Sequence, residues 1–204
     1  MNDSQFYKLT IFLNSLVPLA LMGWDAYNRK LGANPIEFVI HTTGTLTLIF
    51  LLFSLSITPF RRIFGRHSII KYRRMLGLLA FFYGSLHLLS YTVFDKSFNI
   101  AKIIQDIFNR QFIAVGLISF LLMVPLAITS TNSMLRRLGG KRWIKLHKSV
   151  YYISAGGLLH YWMSVKADTD KPLVFGCILG ALLGYRLFYS YMRKPTIDTL
   201  KLSK

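Results

Sequence analysis

Acidic residues are scarce in this chain: 8 Asp and Glu stand against 25 Lys and Arg in 204 residues. None of the acids lies deep in an apolar stretch, so no pair of carboxylates is available for acid–base chemistry inside one. Cysteine is almost missing. Cys177 is the only one, which excludes a disulfide framework, a Cys-ligated zinc and an iron–sulfur cluster; in its apolar run it reads as a packing or lipid-facing residue. No Ser/His/Asp set, no phosphate-cradling glycine loop and no Gly-x-Gly-x-x-Gly fingerprint occurs. No catalytic residue is therefore assigned, and a nicotinamide-binding domain is not expected.

What is abundant is apolar surface. Hydrophobic residues make up 53% of the chain, charged residues 16%, and the mean hydropathy is +0.42. A soluble domain of this size could not hide so much, and the length suits one membrane domain, residues 1–204, with no sequence left for a second. A hydrocarbon core about 30 Å thick needs roughly 20 apolar residues in a helix. Six stretches qualify: 9–24, 38–59, 75–94, 112–131, 149–165 and 172–192. The expected fold is an all-α, polytopic helical bundle. The first stretch, which contains Asn14 and Pro18, reads as an anchor because no small-residue cleavage site follows it. The fifth is short, and Arg186 in the sixth is expected to snorkel to the interface.

The charge is sorted by segment. Arg61–Arg74 carries six cations and no acid, and the segment from Arg136 to Lys148 carries six more. With the two termini these segments hold +16, whereas the alternate loops hold +1. The positive-inside rule then places both termini and both basic segments in the cytoplasm, which an even number of spans requires. This distribution argues against nucleic acid as a partner, since basic residues punctuate apolar spans instead of clustering on a domain. The lipid bilayer is the expected surrounding. Trp24, Trp143 and Trp162 fall at span ends, as an aromatic belt requires.

Ionisable residues inside a span are costly and are functional candidates by default. His87 lies in the third span and His160 in the fifth, each 13 residues from a cytoplasmic boundary, at Arg74 and His147 respectively. That is about 20 Å along a helix axis in both cases. Two imidazoles at one depth on two helices can ligate a single haem iron from opposite faces. Gly84 and Ser85, and Gly156 and Gly157, precede them by one turn and leave room for a porphyrin. His147 is the weaker ligand candidate, because 13 residues of ideal helix turn it about 220° away from His160. His41 reads as a supporting or helix-contact residue, and His67 as a solvated one. Two other readings stay open, a transporter with histidine proton relays and a purely structural anchor.

Five stretches resemble a known family: GANPIEFVIHTTG (Gly32–Gly44), SITPFRR (Ser56–Arg62), YRRMLGLLAFFYGSLHLLSY (Tyr72–Tyr91), LAITSTNSMLRRLGGKRWIKLH (Leu126–His147) and LLHYWMSVK (Leu158–Lys166). They are similar, in order and spacing, to the MsrQ (formerly YedZ) family, the haem-binding membrane subunits of the protein-methionine-sulfoxide reductase system. That family sits in the ferric-reductase-like transmembrane group, which also contains NADPH oxidases. The resemblance implies a multi-pass protein of the bacterial inner membrane that takes electrons from quinol or a cytoplasmic flavin reductase. It would pass them to a periplasmic molybdopterin-containing methionine sulfoxide reductase for repair of oxidised proteins. It also implies haem b and FMN as cofactors, with haem-linked histidines at His87, His147 and His160.

The wider group carries two histidines on each of two helices. Here Arg73 or Arg74 stands where the second histidine of the third span would be. Arginine stays protonated and offers no lone pair to iron. One fully ligated haem and a degenerate inner site are therefore expected, with an arginine available to a haem propionate or a flavin phosphate. Gln111 in place of a proline and the doubled glycine Gly139–Gly140 are further departures from the family pattern.

Overall fold

A computed structural model of the chain describes residues 3–165 and 169–192. Lys166, Asp168 and the C-terminal charges Arg193, Lys194, Asp198, Lys201 and Lys204, which entered the charge count, lie outside the described residues. Among those described, all regular structure is helical. The helices are α1 (Asp3–Tyr27), α2 (Pro35–Ile63), α3 (Arg73–Ser90), α4 (Ile100–Asn109), α5 (Gln111–Ile128), α6 (Asn132–Leu138), α7 (Gly140–His147), α8 (Val150–Ser164) and α9 (Asp170–Met192). A 3₁₀ segment, His67–Tyr72, leads into α3, and a π turn, Tyr91–Asp95, continues it.

Each expected span falls on a helix. Five helical stretches are long and apolar enough to cross a membrane: α1, α2, α3 with its flanking turns, α5 and α9. The remaining one, α8, has 15 residues, about 22 Å at 1.5 Å per residue, short of a full hydrocarbon core. Three helices were not anticipated. The loop after the third span contains amphipathic α4, and the basic segment 132–147 forms α6 and α7. Gly139 separates these two with φ +74°, a left-handed conformation that a residue without Cβ adopts freely.

The core follows from helical periodicity. Leu48, Leu51, Leu52 and Leu55 of α2 recur at i, i+3, i+4 and i+7 and are buried; the last three pack in one cluster with Leu76, Leu79, Ala80 and Tyr83 of α3, which repeat the same spacing. Ser54 lies on this seam, and its hydroxyl donates to the Arg73 carbonyl at 3.1 Å. Small residues such as Ala80 and Ser54 let the two backbones approach, the usual device where lipid removes the hydrophobic drive between helices. Val150 and Ile153 of α8, Met123 of α5 and Leu179 of α9 complete the core. Tyr83 is fully buried, stacks on Phe50 at 5.3 Å and donates its hydroxyl proton to the Ser15 carbonyl, tying α1 to the pair.

Outward, the pattern inverts. Leu9, Leu13, Leu21 and Trp24 on α1 and Leu173, Val174, Leu187 and Phe188 on α9 are all exposed, the surface a helix presents to lipid. This is a membrane protein.

Candidate functional site

The third-span and fifth-span histidines meet. The His87 and His160 rings have centroids 5.9 Å apart and planes at 81°. Each ring is oriented by a backbone carbonyl on another helix. His87 Nδ1 donates to Ile40 O of α2 at 2.9 Å, and His160 Nδ1 donates to Phe112 O of α5 at 2.6 Å. A carbonyl oxygen can only accept, so each Nδ1 carries its proton and each Nε2 keeps its lone pair. Fixing the far nitrogen in this way is how metal-binding imidazoles are oriented. Neither Nε2 has a hydrogen-bond partner among the described residues.

Both histidines line a cavity of about 780 Å³ between α2, α3, α4, α5 and α8, in the range of small-molecule and cofactor sites. Its walls are mostly apolar, including Leu48, Leu51, Phe120, Met123 and Ile153. Glycines hold it open. A Cβ at Gly44 would come within 3.0 Å of the His87 ring, and one at Gly116 within 2.6 Å of His160 Nδ1. Gly84 and Gly157, singled out in the sequence, also line the cavity. Ser85 and Gly156 do not: the Ser85 hydroxyl bonds Phe81 O, and Gly156 faces the hydroxyl of Ser119. Gly44 and Gly116 escaped sequence reasoning because they sit on α2 and α5, away from the histidines in the chain. Only the packing shows what each one faces.

The remaining candidates lie elsewhere. His147 ends α7, and Lys148 and Ser149 break the helix before α8 begins, so an ideal-helix phase does not relate it to His160. It is outside the cavity, its ring stacks on Trp143 at 3.8 Å, and its Nδ1 donates to Trp143 O at 3.1 Å. Burial holds its pKa below the usual value, the Trp143 carbonyl opposes that, and the Arg73 charge adds to it. Arg73 and Arg74 begin α3 within electrostatic reach of His147, and neither lines the cavity. Arg74 is engaged by Asn132 of α6 at 2.6 Å. His41 does line the cavity and pairs with Glu37 at 3.6 Å. Arg186 departs from expectation. Instead of snorkelling outward it turns into the bundle, with Nη1 donating to Tyr151 OH at 2.6 Å and Nη2 to Leu55 O.

A polar clasp rims the cavity on the side of α4. Asp106 accepts from Lys96 at 2.6 Å and from Tyr91 OH at 2.9 Å, and lies 3.6 Å from Arg110. Tyr91 and Arg110 also line the cavity, as do Ile103 and Ile107 from the inner face of α4. The Lys96 hydrogen bond, more than the Tyr91 bond and the charges of Lys96 and Arg110, holds the Asp106 carboxyl below its ordinary range. A depressed carboxylate stabilises the folded state above its unfolded pKa, about 3.9, and that contribution fades as pH falls through the lower folded value. Amide exchange in α4 is accordingly expected to quicken below about pH 4, and Asp106→Asn should produce the same loosening at neutral pH. Equal α4 protection in wild type and variant would contradict this role.

The donor set fits a planar, iron-centred group. Two imidazoles that share one metal through bonds of about 2 Å have ring centroids up to roughly 6 Å apart, a spacing that the 5.9 Å separation fits. A site for a bare metal ion is a poorer fit, since no cluster of three His, Cys, Asp or Glu residues forms among the described residues.

Comparison with known proteins gives the family. The family model described as "Ferric reductase like transmembrane component" matches residues 41–158, a stretch that begins at His41 and contains His87 and His147. The chain belongs to this ferric-reductase-like transmembrane family. Relatives named "Protein-methionine-sulfoxide reductase heme-binding subunit MsrQ" match it along most of its length. The protein from Herminiimonas arsenicoxydans is 45% identical over 95% of this chain and 89% of its own. Those from Rhodospirillum rubrum and Bordetella pertussis are 48% and 43% identical, each over 92% of this chain and 90% and 91% of their own. Within the wider group, the chain is a member of the MsrQ family. No solved structure matches it significantly.

Proposed function

We propose that this chain is the haem b-binding membrane subunit of a protein-methionine-sulfoxide reductase system, in which His87 and His160 would hold one haem. The observation that carries the reading is the facing pair of imidazoles, each with Nδ1 committed to a backbone carbonyl and Nε2 free toward a shared cavity. The names of the relatives support it.

Bound there, the haem supplies a one-electron carrier whose potential responds to its axial ligands and to burial. The chain's own residues do the rest. Ile40 O and Phe112 O fix the imidazole tautomers and orientations, Gly44 and Gly116 admit the rings, and the apolar walls exclude water. The chain performs no chemistry on methionine. Electrons arrive from quinol or a cytoplasmic flavin reductase and leave to a periplasmic molybdopterin subunit that reduces the sulfoxide. FMN, implied by family membership, is a second cofactor with no site assigned.

The chain is one domain in the bacterial inner membrane with six spans and both termini cytoplasmic. The +16 against +1 division of charge supports this, with α8 as a short sixth span.

Absorption spectroscopy on the full chain, purified from a haem-replete host, tests the central claim. A b-type spectrum that sharpens into split bands on reduction is expected, and a colourless preparation would overturn it. Supplying reduced quinol, or a flavin reductase with NADH, and following haem reduction then identifies the donor.

A further inference from the structure

A second polar site lies at the other end of the bundle. Three arginines converge there from three helices: Arg61 of α2, Arg73 of α3 and Arg186 of α9. Arg61, Arg186 and Tyr151 all lie within electrostatic reach of Arg73. Tyr151 of α8 closes the group, accepting from Arg186 Nη1 at 2.6 Å, with the guanidinium 5.1 Å from its ring centre. None of the three arginines lines the histidine cavity. Arg73 and His87 are 14 residues apart on one helix, about 21 Å.

Among the described residues the group has no counter-charge. Every ion pair among the described residues uses Glu37, Asp95 or Asp106, and all three acids lie near the histidine cavity. Four buried side-chain atoms have no hydrogen-bond partner among the described residues: Thr58 Oγ1, Arg61 Nε, His147 Nε2 and Arg186 Nε. All belong to this end. Thr58 sits one turn from both Leu55 and Arg61 on α2, and His147 is within reach of Arg73. Removing guanidinium groups from water without an opposite charge is expensive, and orphaned Nε donors add to that cost.

From this convergence we infer that Arg61, Arg73 and Arg186 form a binding site for a phosphate group. Nε and one Nη of a guanidinium make a planar fork that grips an oxyanion through two parallel bonds. The forks of Arg61 and Arg186 have their Nε uncommitted. A tetrahedral phosphate offers three oxygens to donors arriving from three directions, whereas a planar carboxylate offers two. Its double negative charge also neutralises more of the cluster. The phosphate can come from an anionic lipid headgroup or from a soluble phosphate-bearing molecule such as a flavin nucleotide. This inference does not depend on the haem reading.

The test uses the delipidated full chain in detergent and two matched pairs of probes, read by native mass spectrometry and equilibrium dialysis. Phosphatidylglycerol is set against diacylglycerol, and flavin mononucleotide against riboflavin. Binding of the phosphate-bearing member of at least one pair, and not of its phosphate-free counterpart, is expected, and the pair that responds identifies the source. Arg61→Gln and Arg186→Gln should each weaken it tenfold or more, about 1.4 kcal/mol. Arg186→Lys, which keeps the charge and loses the fork, should fall between. Gel filtration and thermal unfolding check that the variants fold; if the glutamine variants do not, the matched probes on the wild-type chain and Arg186→Lys still decide. Failure of both phosphate-bearing probes, equal binding of the phosphate-free ones, or affinity unchanged in the folded variants would overturn the site.

Discussion

His87→Ala and His160→Ala should each yield a folded membrane chain with no b-type absorption, a loss of essentially all haem. The two side chains supply the pair of imidazoles that meet at the cavity, and each removal takes away one of the two groups that would hold the haem. The fold should survive, because neither ring belongs to the leucine-rich seam between α2 and α3. His147→Ala is the contrasting case. Its ring is stacked on Trp143 outside the cavity, so the split reduced bands of the His87–His160 haem should persist, at most perturbed. Reduced-minus-oxidised spectra of the three variants, with haem normalised to protein, measure the difference. Full haem retention in His87→Ala or His160→Ala, or haem loss confined to His147→Ala, would show that the ligand pair is wrongly assigned.

Gly116→Ala should be nearly as damaging, although it adds one methyl group. The new Cβ would lie 2.6 Å from His160 Nδ1 and 2.8 Å from Cε1, closer than non-bonded atoms tolerate, so the imidazole must move. Moving it breaks the Nδ1 bond to Phe112 O at 2.6 Å and shifts the ring from its place beside His87. Haem occupancy should fall at least tenfold, a penalty of about 1.4 kcal/mol or more, while the chain still inserts and folds. Gly23→Ala is the control, because nothing lies within 4 Å of a Cβ there; it should bind haem as wild type does. Equal haem content in Gly116→Ala and Gly23→Ala would mean that His160 does not need the position the packing gives it.

Both predictions rest on different amounts of sequence information. His87 and His160 stood out in the sequence because a membrane makes any ionisable residue conspicuous, and equal depth on two spans paired them. Gly116 did not, since a glycine in an apolar run has several innocent uses and its partner lies 44 residues away. Arg186 was misread for a related reason. An arginine near a helix end can usually reach the interface, and only the adjacent Tyr151 hydroxyl and Leu55 carbonyl make the inward rotamer the better one. His147 shows the limit of counting residues, because the break at Lys148 and Ser149 voids the helical phase on which its angle was reckoned.

The sequence by itself determined that this is an all-helical membrane protein, where its apolar helices lie, and which two histidines meet. Those features depend on local composition and period: a lipid solvent forces every backbone group into a helix, and 3.6-residue spacing puts Leu48, Leu52 and Leu55 on one face. Only the tertiary structure decided which carbonyls orient the imidazoles, which glycines make room for them, and that arginines from α2, α3 and α9 come within electrostatic reach of one another. Each of these is a meeting of residues far apart in the chain. It is set by how side-chain volumes and unpaired polar groups fit together once the helices pack, and no local pattern encodes that.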